Sequence, residues 1–274
     1  MLIGGGLAAG CASLPERVDA FAEAQGLERR VVAGDGFRHV VYAREADDTP
    51  RSLHVYIEGD GRPWLHGVLA SADPTPRTPY ALALMGRDPR PAIYLGRPCY
   101  FGLADEPGCE PRLWTDARYG PEVVASMAAA LDGLLAERGW PAVMLVGYSG
   151  GGTLAVLLAD RVPGVRRVVT VAGNLDTDAW TAAHGYRPLA GSLNPMTAAR
   201  LAGVEHLHFA GAADANVSPG IARAFAERHG GRVQVVEGFD HRCCWRERWP
   251  GLLLPAASSP TIHSDATRRG EQDR

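Results

Sequence analysis

Residues 143–152 read Val-Met-Leu-Val-Gly-Tyr-Ser-Gly-Gly-Gly, and no other stretch constrains the fold as tightly. An apolar run of strand type passes straight into Gly147-Tyr148-Ser149-Gly150-Gly151, and a helix-forming segment follows at once. A serine between glycines at such a strand-to-helix turn is lifted out of the sheet with its hydroxyl exposed. Glycines on both sides relieve a turn so tight that a Cβ would clash. The Gly150 amide would lie at a helix N-terminus, where unpaired N–H groups bind negative charge.

The rest of the chain supplies a sheet for that turn. Apolar or alternating runs at 30–33, 39–43, 53–57, 92–95, 142–146, 167–171, 204–210 and 232–236 read as strands. The first two are separated by Gly34-Asp35-Gly36, a hairpin signal. Helices are expected over 13–26, 151–161, 219–229 and 119–138. The last carries Val123, Met127, Leu131, Leu134 and Leu135 at helical spacing and is closed by Gly139. Strand–helix alternation predicts an α/β fold with a mostly parallel sheet covered on both faces and antiparallel strands at one edge. A chain of 274 residues, 46% apolar, suits one domain over 12–254 with a sizeable core. Residues 255–274 are polar and aperiodic and read as a disordered tail.

Two later loops give the serine its partners. Asp214 lies in Ala210-Gly211-Ala212-Ala213-Asp214 after the next-to-last strand, and His241 in Gly238-Phe239-Asp240-His241 after the last. This order of Ser, acid and His at the ends of successive strands resembles the α/β-hydrolase superfamily. The resemblance covers about 39–249. It implies the α/β-hydrolase fold, with Ser149 as nucleophile, His241 as base and Asp214 as the acid. The chemistry agrees: a serine hydroxyl needs an adjacent base, imidazole titrates near neutral pH, and a carboxylate on its other nitrogen fixes the tautomer. Asp176, Asp178 and Asp240 are rival acids, and His184, His206, His208 and His229 rival bases. Asp240 adjoins the histidine and suits a loop cap. His206 and His208 fall inside a strand, and His229 closes a helix, where the dipole favours it.

The resemblance also places a second oxyanion donor after the third strand, at Glu58-Gly59-Asp60-Gly61. There Gly59 and Asp60 are the candidate amides. Two acids beside a developing oxyanion are unfavourable unless they point away or pair with Arg62 or Arg97. The resemblance further implies that the long insertion over about 173–201 forms a cap, with Trp180, His184 and Tyr186, together with Tyr148, as candidate pocket residues. The alternative for the insertion is a surface loop held down by its aromatics.

Composition narrows the partners. Every basic residue is arginine, the arginines are scattered, and net charge is −3, so nucleic-acid binding has little support. No cysteine spacing suits zinc, and no metal or other cofactor is expected. The first eleven residues, Met-Leu-Ile-Gly-Gly-Gly-Leu-Ala-Ala-Gly-Cys, resemble the end of a bacterial lipoprotein signal segment without its basic start. Cys11 is thus a candidate lipidation site and membrane tether, and the cell envelope the expected location, the alternative being a cytoplasmic protein. The remaining Cys99, Cys109, Cys243 and Cys244 are disulfide candidates: pairing 99–109 with 243–244, or cross-pairing, with four reduced thiols in a cytosolic protein as the alternative.

The function expected from these residues is hydrolysis of a small-molecule carboxylic ester through an acyl-enzyme. A peptidase or acyltransferase on the same three residues is the alternative, as is a non-catalytic surface lipoprotein that binds through the same fold.

Overall fold

The computed structural model of the chain describes residues 12–44 and 52–253. The lipidation candidate Cys11 and the 255–274 tail fall outside them. Helix α1 (Leu14–Glu23) opens with a reciprocal cap in which Ser13 and Glu16 each accept from the other's amide. Strands β1 (Glu28–Ala33) and β2 (Arg38–Ala43) form the antiparallel hairpin. Then come β3 (Leu53–Ile57), a small antiparallel ribbon of β4 (Trp64–Leu65) and β5 (Leu69–Ala70), α2 (Tyr80–Met85) and β6 (Ala92–Leu95). A 3-10 turn at Pro111–Trp114 leads to α3 (Pro121–Arg138), which ends on left-handed Gly139. The second half runs β7 (Val143–Tyr148), α4 (Gly150–Leu158), β8 (Val165–Val171), α5 (Thr177–His184), α6 (Pro195–Ala198), β9 (Glu205–Gly211), α7 (Pro219–His229), β10 (Arg232–Val236) and α8 (Trp245–Arg248).

Eight strands form one sheet in the order β1-β2-β6-β3-β7-β8-β9-β10. β1 and β2 are antiparallel to their neighbours, and the other six strands run parallel. Every residue of β3 and β7 is buried, because helices cover both faces of the sheet centre. Their apolar runs are therefore continuous and do not alternate. β3 connects onward to β6 on one side, and β7 to β8 on the other. The direction of winding thus switches between β3 and β7, and such a switch point is the usual ligand position in open α/β sheets.

The sequence pattern missed α2, the β4–β5 ribbon, α5, α6 and α8. Helix α2 has six residues, all buried, so it has no polar face from which a helical period can be read. β7 also runs two residues further than its apolar run suggests. Gly147 and Tyr148 are still in the sheet, and the chain turns only at Ser149.

Candidate active site

At Ser149 the chain leaves β7 and enters α4 with φ +52° and ψ −122°, a conformation costly for a residue with a Cβ. The turn is held on both sides. The Ser149 amide donates to Val171 O at 2.9 Å, and its carbonyl accepts from Gly152 N at 2.9 Å and Asn174 N at 3.2 Å. The surrounding glycines are required by contact. A methyl on Gly150 would strike the Asp60 carboxylate and the Tyr119 hydroxyl. One on Gly151 would strike the Ile57 carbonyl, and one on Gly147 the Gly151 carbonyl. The glycine run therefore lets the loop after β3 close directly onto the start of α4.

On one side of Ser149 lie the loops after β9 and β10. His241 Nε2 is 3.0 Å from Ser149 Oγ, and His241 Nδ1 is 2.9 Å from Asp214 Oδ2. The Asp214 side chain is fully buried, and its other oxygen accepts from the amides of Asn216 at 2.9 Å and Val217 at 2.8 Å. Both carboxylate oxygens are thus occupied, and Nδ1 carries the proton that faces one of them. The His241 carbonyl accepts from Tyr148 OH at 3.0 Å, and the Arg242 carbonyl accepts from Tyr80 OH. Tyr80 and Tyr148 stack with ring centroids 4.5 Å apart, so a pair of tyrosines buttresses the histidine loop. Asp240 accepts from the amides of Arg242 and Cys243, which makes it the cap of that loop.

The other rival residues are spread over the fold. Asp176 caps α5 through the amides of Asp178 and Ala179, and both Asp176 and Asp178 accept from Asn194. His206 and His208 are buried in β9 and bonded to each other, and burial lowers the His208 pKa to about 3. His229 bonds the Met196 carbonyl.

On the opposite side of Ser149 lies the loop after β3. Gly59 packs against the elbow, where an added Cβ would sit 3.4 Å from Ser149 Cβ. The Gly59 amide donates to Glu58 Oε1 at 3.1 Å, while the Asp60 amide has no hydrogen-bond partner among the described residues. Glu58 turns away from the serine. Its second oxygen accepts from Ala81 N at 2.9 Å at the start of α2, and burial pushes its pKa up to about 7 against these bonds. Asp60 pairs with Arg97 at 2.8 Å and Arg118 at 2.9 Å and accepts from Tyr119 OH at 2.6 Å. Burial alone would raise its pKa, but the guanidiniums of Arg118 and Arg97 outweigh that and hold it at about 2. Arg97 was a candidate partner in the sequence; Arg118 and Tyr119 were not. The only sequence signal for them was the presence of acids in a loop where unpaired negative charge is unfavourable.

The 173–201 insertion touches both sides. Trp180 Nε1 donates to Asn216 O at 3.0 Å, and His184 Nε2 donates to the same carbonyl at 2.7 Å, which ties α5 to the Asp214 loop. Tyr186 stacks on His184 and is exposed. Further along, Leu193 N donates to Tyr119 O and Ser192 Oγ accepts from Tyr119 N. The cysteines pair locally, Cys99 with Cys109 and Cys243 with Cys244. The first pair closes the loop after β6, and the second begins two residues after His241. Among the described residues no group of three or more His, Cys, Asp or Glu is arranged to hold a metal ion, and no helix is long and apolar enough to cross a membrane.

No protein-family model matches the sequence, and neither does any curated protein. Solved structures do match. An esterase of Pyrococcus furiosus aligns over 84% of this chain and 90% of its own, with TM-score 0.60 and 12% identity. A hormone-sensitive lipase from a metagenome library aligns over 85% and 83%, with TM-score 0.52 and 19% identity. The fold is that of the α/β hydrolases. A puromycin hydrolase also shares this α/β-hydrolase fold, with TM-score 0.56 and 17% identity over 80% of this chain, which spans 36% of that protein's length. At these identities the likeness concerns the fold alone.

Proposed function

We propose that this chain is a serine hydrolase that cleaves carboxylic esters through an acyl-enzyme. The observation that carries this reading is the continuous line from Ser149 Oγ through His241 to Asp214, at 3.0 and 2.9 Å. Ser149 Oγ attacks the ester carbonyl carbon as its proton passes to His241 Nε2. The carbonyl oxygen becomes an oxyanion between the amides of Gly150 and Asp60. Gly150 is the first residue of α4 and its N–H has no partner within the helix. Gly59 is the weaker candidate because its N–H is taken by Glu58. The imidazolium, held by Asp214, protonates the leaving alkoxide as the carbon–oxygen bond breaks. Water then repeats the sequence: its proton goes to His241, its oxygen bonds the acyl carbon, and Ser149 Oγ leaves and recovers the proton.

The test is labelling by a fluorophosphonate and turnover of short p-nitrophenyl esters, in wild type and Ser149→Ala. Wild type is expected to label and turn over, and the variant to do neither while keeping its thermal midpoint. A labelled Ser149→Ala, or an unlabelled wild type, overturns the reading.

We also propose an envelope location with Cys11 as the lipid-bearing residue, supported by the apolar Ala-Gly-Cys segment and by two disulfides, which persist in oxidising compartments. Cys11→Ser is expected to move the protein from the membrane to the soluble fraction; unchanged membrane association overturns it.

A further inference from the structure

Asp60 touches both halves of the oxyanion site. Its amide is one proposed donor, and its carboxylate lies against Gly150, the residue that supplies the other; any side chain on Gly150 would overlap it. Asp60 is also the most heavily bonded residue of its loop. Its carbonyl accepts from Tyr100 OH at 3.0 Å. Its carboxylate accepts from Arg97 Nη2 at 2.8 Å, from Arg118 Nη1 at 2.9 Å and from Tyr119 OH at 2.6 and 2.8 Å. These partners come from two separate connections: Arg97 and Tyr100 follow β6, and Arg118 and Tyr119 precede α3.

All four partners are buried, with Arg97 at 2% and Tyr119 at 0% exposure. The Arg97 guanidinium lies over the rings of Tyr100 and Tyr119, at 5.7 and 5.4 Å from their centroids. Its Nε and Nη1 have no hydrogen-bond partner, so the carboxylate of Asp60 is the one ionic partner it has among the described residues. Buried guanidiniums held by a single carboxylate fix that carboxylate firmly, since moving it would leave charge unpaired in a dry setting. Glu58, the neighbouring acid, is committed elsewhere, to the amides of Gly59 and Ala81.

We infer that Asp60 is a positioning residue whose side chain, clamped by Arg97, Arg118 and Tyr119, sets the spacing of the Asp60 and Gly150 amides around the oxyanion. The inference rests on the serine-hydrolase reading. It gives a sign opposite to a pure charge effect. Removing a negative charge close to a developing oxyanion would by itself speed the reaction, whereas releasing the clamp slows it.

The test compares Asp60→Asn and Tyr119→Phe with wild type. The readouts are kcat and KM on p-nitrophenyl acetate, the fraction of Ser149 titrated by a fluorophosphonate, the Ki of a trifluoromethyl ketone, and the thermal midpoint. For Asp60→Asn kcat is expected to fall about 100-fold and the ketone to weaken by the same factor, in line with loss of an oxyanion donor. KM should stay within about threefold and Ser149 should remain fully titratable, because uniform binding and the proton-transfer residues are untouched. Tyr119→Phe, which keeps every charge, should lose about fivefold in both kcat and ketone affinity, as for one buried hydrogen bond. Asp60→Asn with unchanged or faster turnover overturns the inference. So does a loss traced wholly to a smaller titratable fraction. If Asp60→Asn does not fold, an unchanged Tyr119→Phe overturns it alone. A wild type that neither turns over nor labels overturns the hydrolase reading and this inference with it, which separates that failure from the others.

Discussion

The two sides of Ser149 are built differently. On the His241 side, side chains face the serine: the Asp214 carboxylate is held by the main-chain amides of Asn216 and Val217, and the main chain of the His241 loop is held by the side chains of Asp240, Tyr148 and Tyr80. On the Asp60 side the proposed donors are backbone amides, and the side chains behind them form a buried ionic cluster. A proton carrier must be a titratable side chain, so its identity is written at one position. An anion receptor needs only N–H groups at a fixed spacing, so any residue can provide it, and the work moves to the shell that fixes the backbone.

The largest expected effect tests the first side. Ser149→Ala or His241→Ala should lower kcat by roughly 10⁵–10⁶-fold, and Asp214→Asn by about 10⁴-fold through the wrong tautomer, each with little change in KM. A loss below about tenfold in Asp214→Asn would remove Asp214 from the acid role and reopen the choice among the carboxylates.

The next effect sharpens the contrast from the second side. In Gly150→Ala the new methyl meets the Asp60 carboxylate and the Tyr119 hydroxyl, so the loop after β3 must move away from α4. Overpacking of this kind costs about 1–3 kcal/mol of stability. It should also reduce kcat by about 10²-fold, the loss of one oxyanion donor. Thermal melts and kinetics on the same sample check both. A fully active Gly150→Ala would break the comparison, because it would mean that the spacing of the two amides does not matter.

Acid should reach the second side through its support. His39 on β2 donates from Nδ1 to the Gly96 carbonyl, next to Arg97, and its Nε2 accepts from Ser126 Oγ. Burial holds its pKa at about 4, below the usual 6.5. The neutral form is therefore favoured on folding, and the unfolded chain binds the proton more readily. His39 stability is complete above pH 6.5 and is lost as pH falls from 6.5 to about 4, by about 3 kcal/mol. Urea midpoints across this window should fall in wild type and fall less in His39→Gln.

Glu58 gives an effect of similar size and the opposite slope. Burial raises its pKa from 4.5 to about 7, so the folded protein holds the proton more tightly. Its contribution is present below pH 4.5 and is lost as pH rises through about 7. Glu58→Gln should flatten the stability profile between those values. An unchanged profile would mean that Glu58 stays ionised across this range.

Legibility in the sequence follows the same division. The elbow was readable because a strand, a serine and its glycines are contiguous, and local sterics alone demand that combination. The meeting of Asp214 and His241 at the serine was readable because each lies in a loop just after a strand, and strand ends carry periodicity signals. Asp240 resolved as a loop cap for the reason its position suggested: it is next to the histidine and bonds the amides that follow. The Asp60 cluster was not readable, because Asp60, Arg97 and Arg118 are separated by tens of residues and meet only across three connections. Trp180 and His184 carry an expectation of lining a pocket, and the sequence gives no sign that their polar atoms reach the Asn216 carbonyl. Composition says that such residues sit in a long insertion, but not which loop they lean on.

The sequence by itself determined an α/β architecture, the turn at Ser149 and the chain order of its partners, since each depends on local periodicity and on glycine where no Cβ fits. The tertiary structure decided which amide near the elbow is free, where the charges of Glu58 and Asp60 go, and how the insertion ties the two sides together. Those outcomes depend on which buried groups find partners, and an ion buried among residues distant in the chain has no local signature.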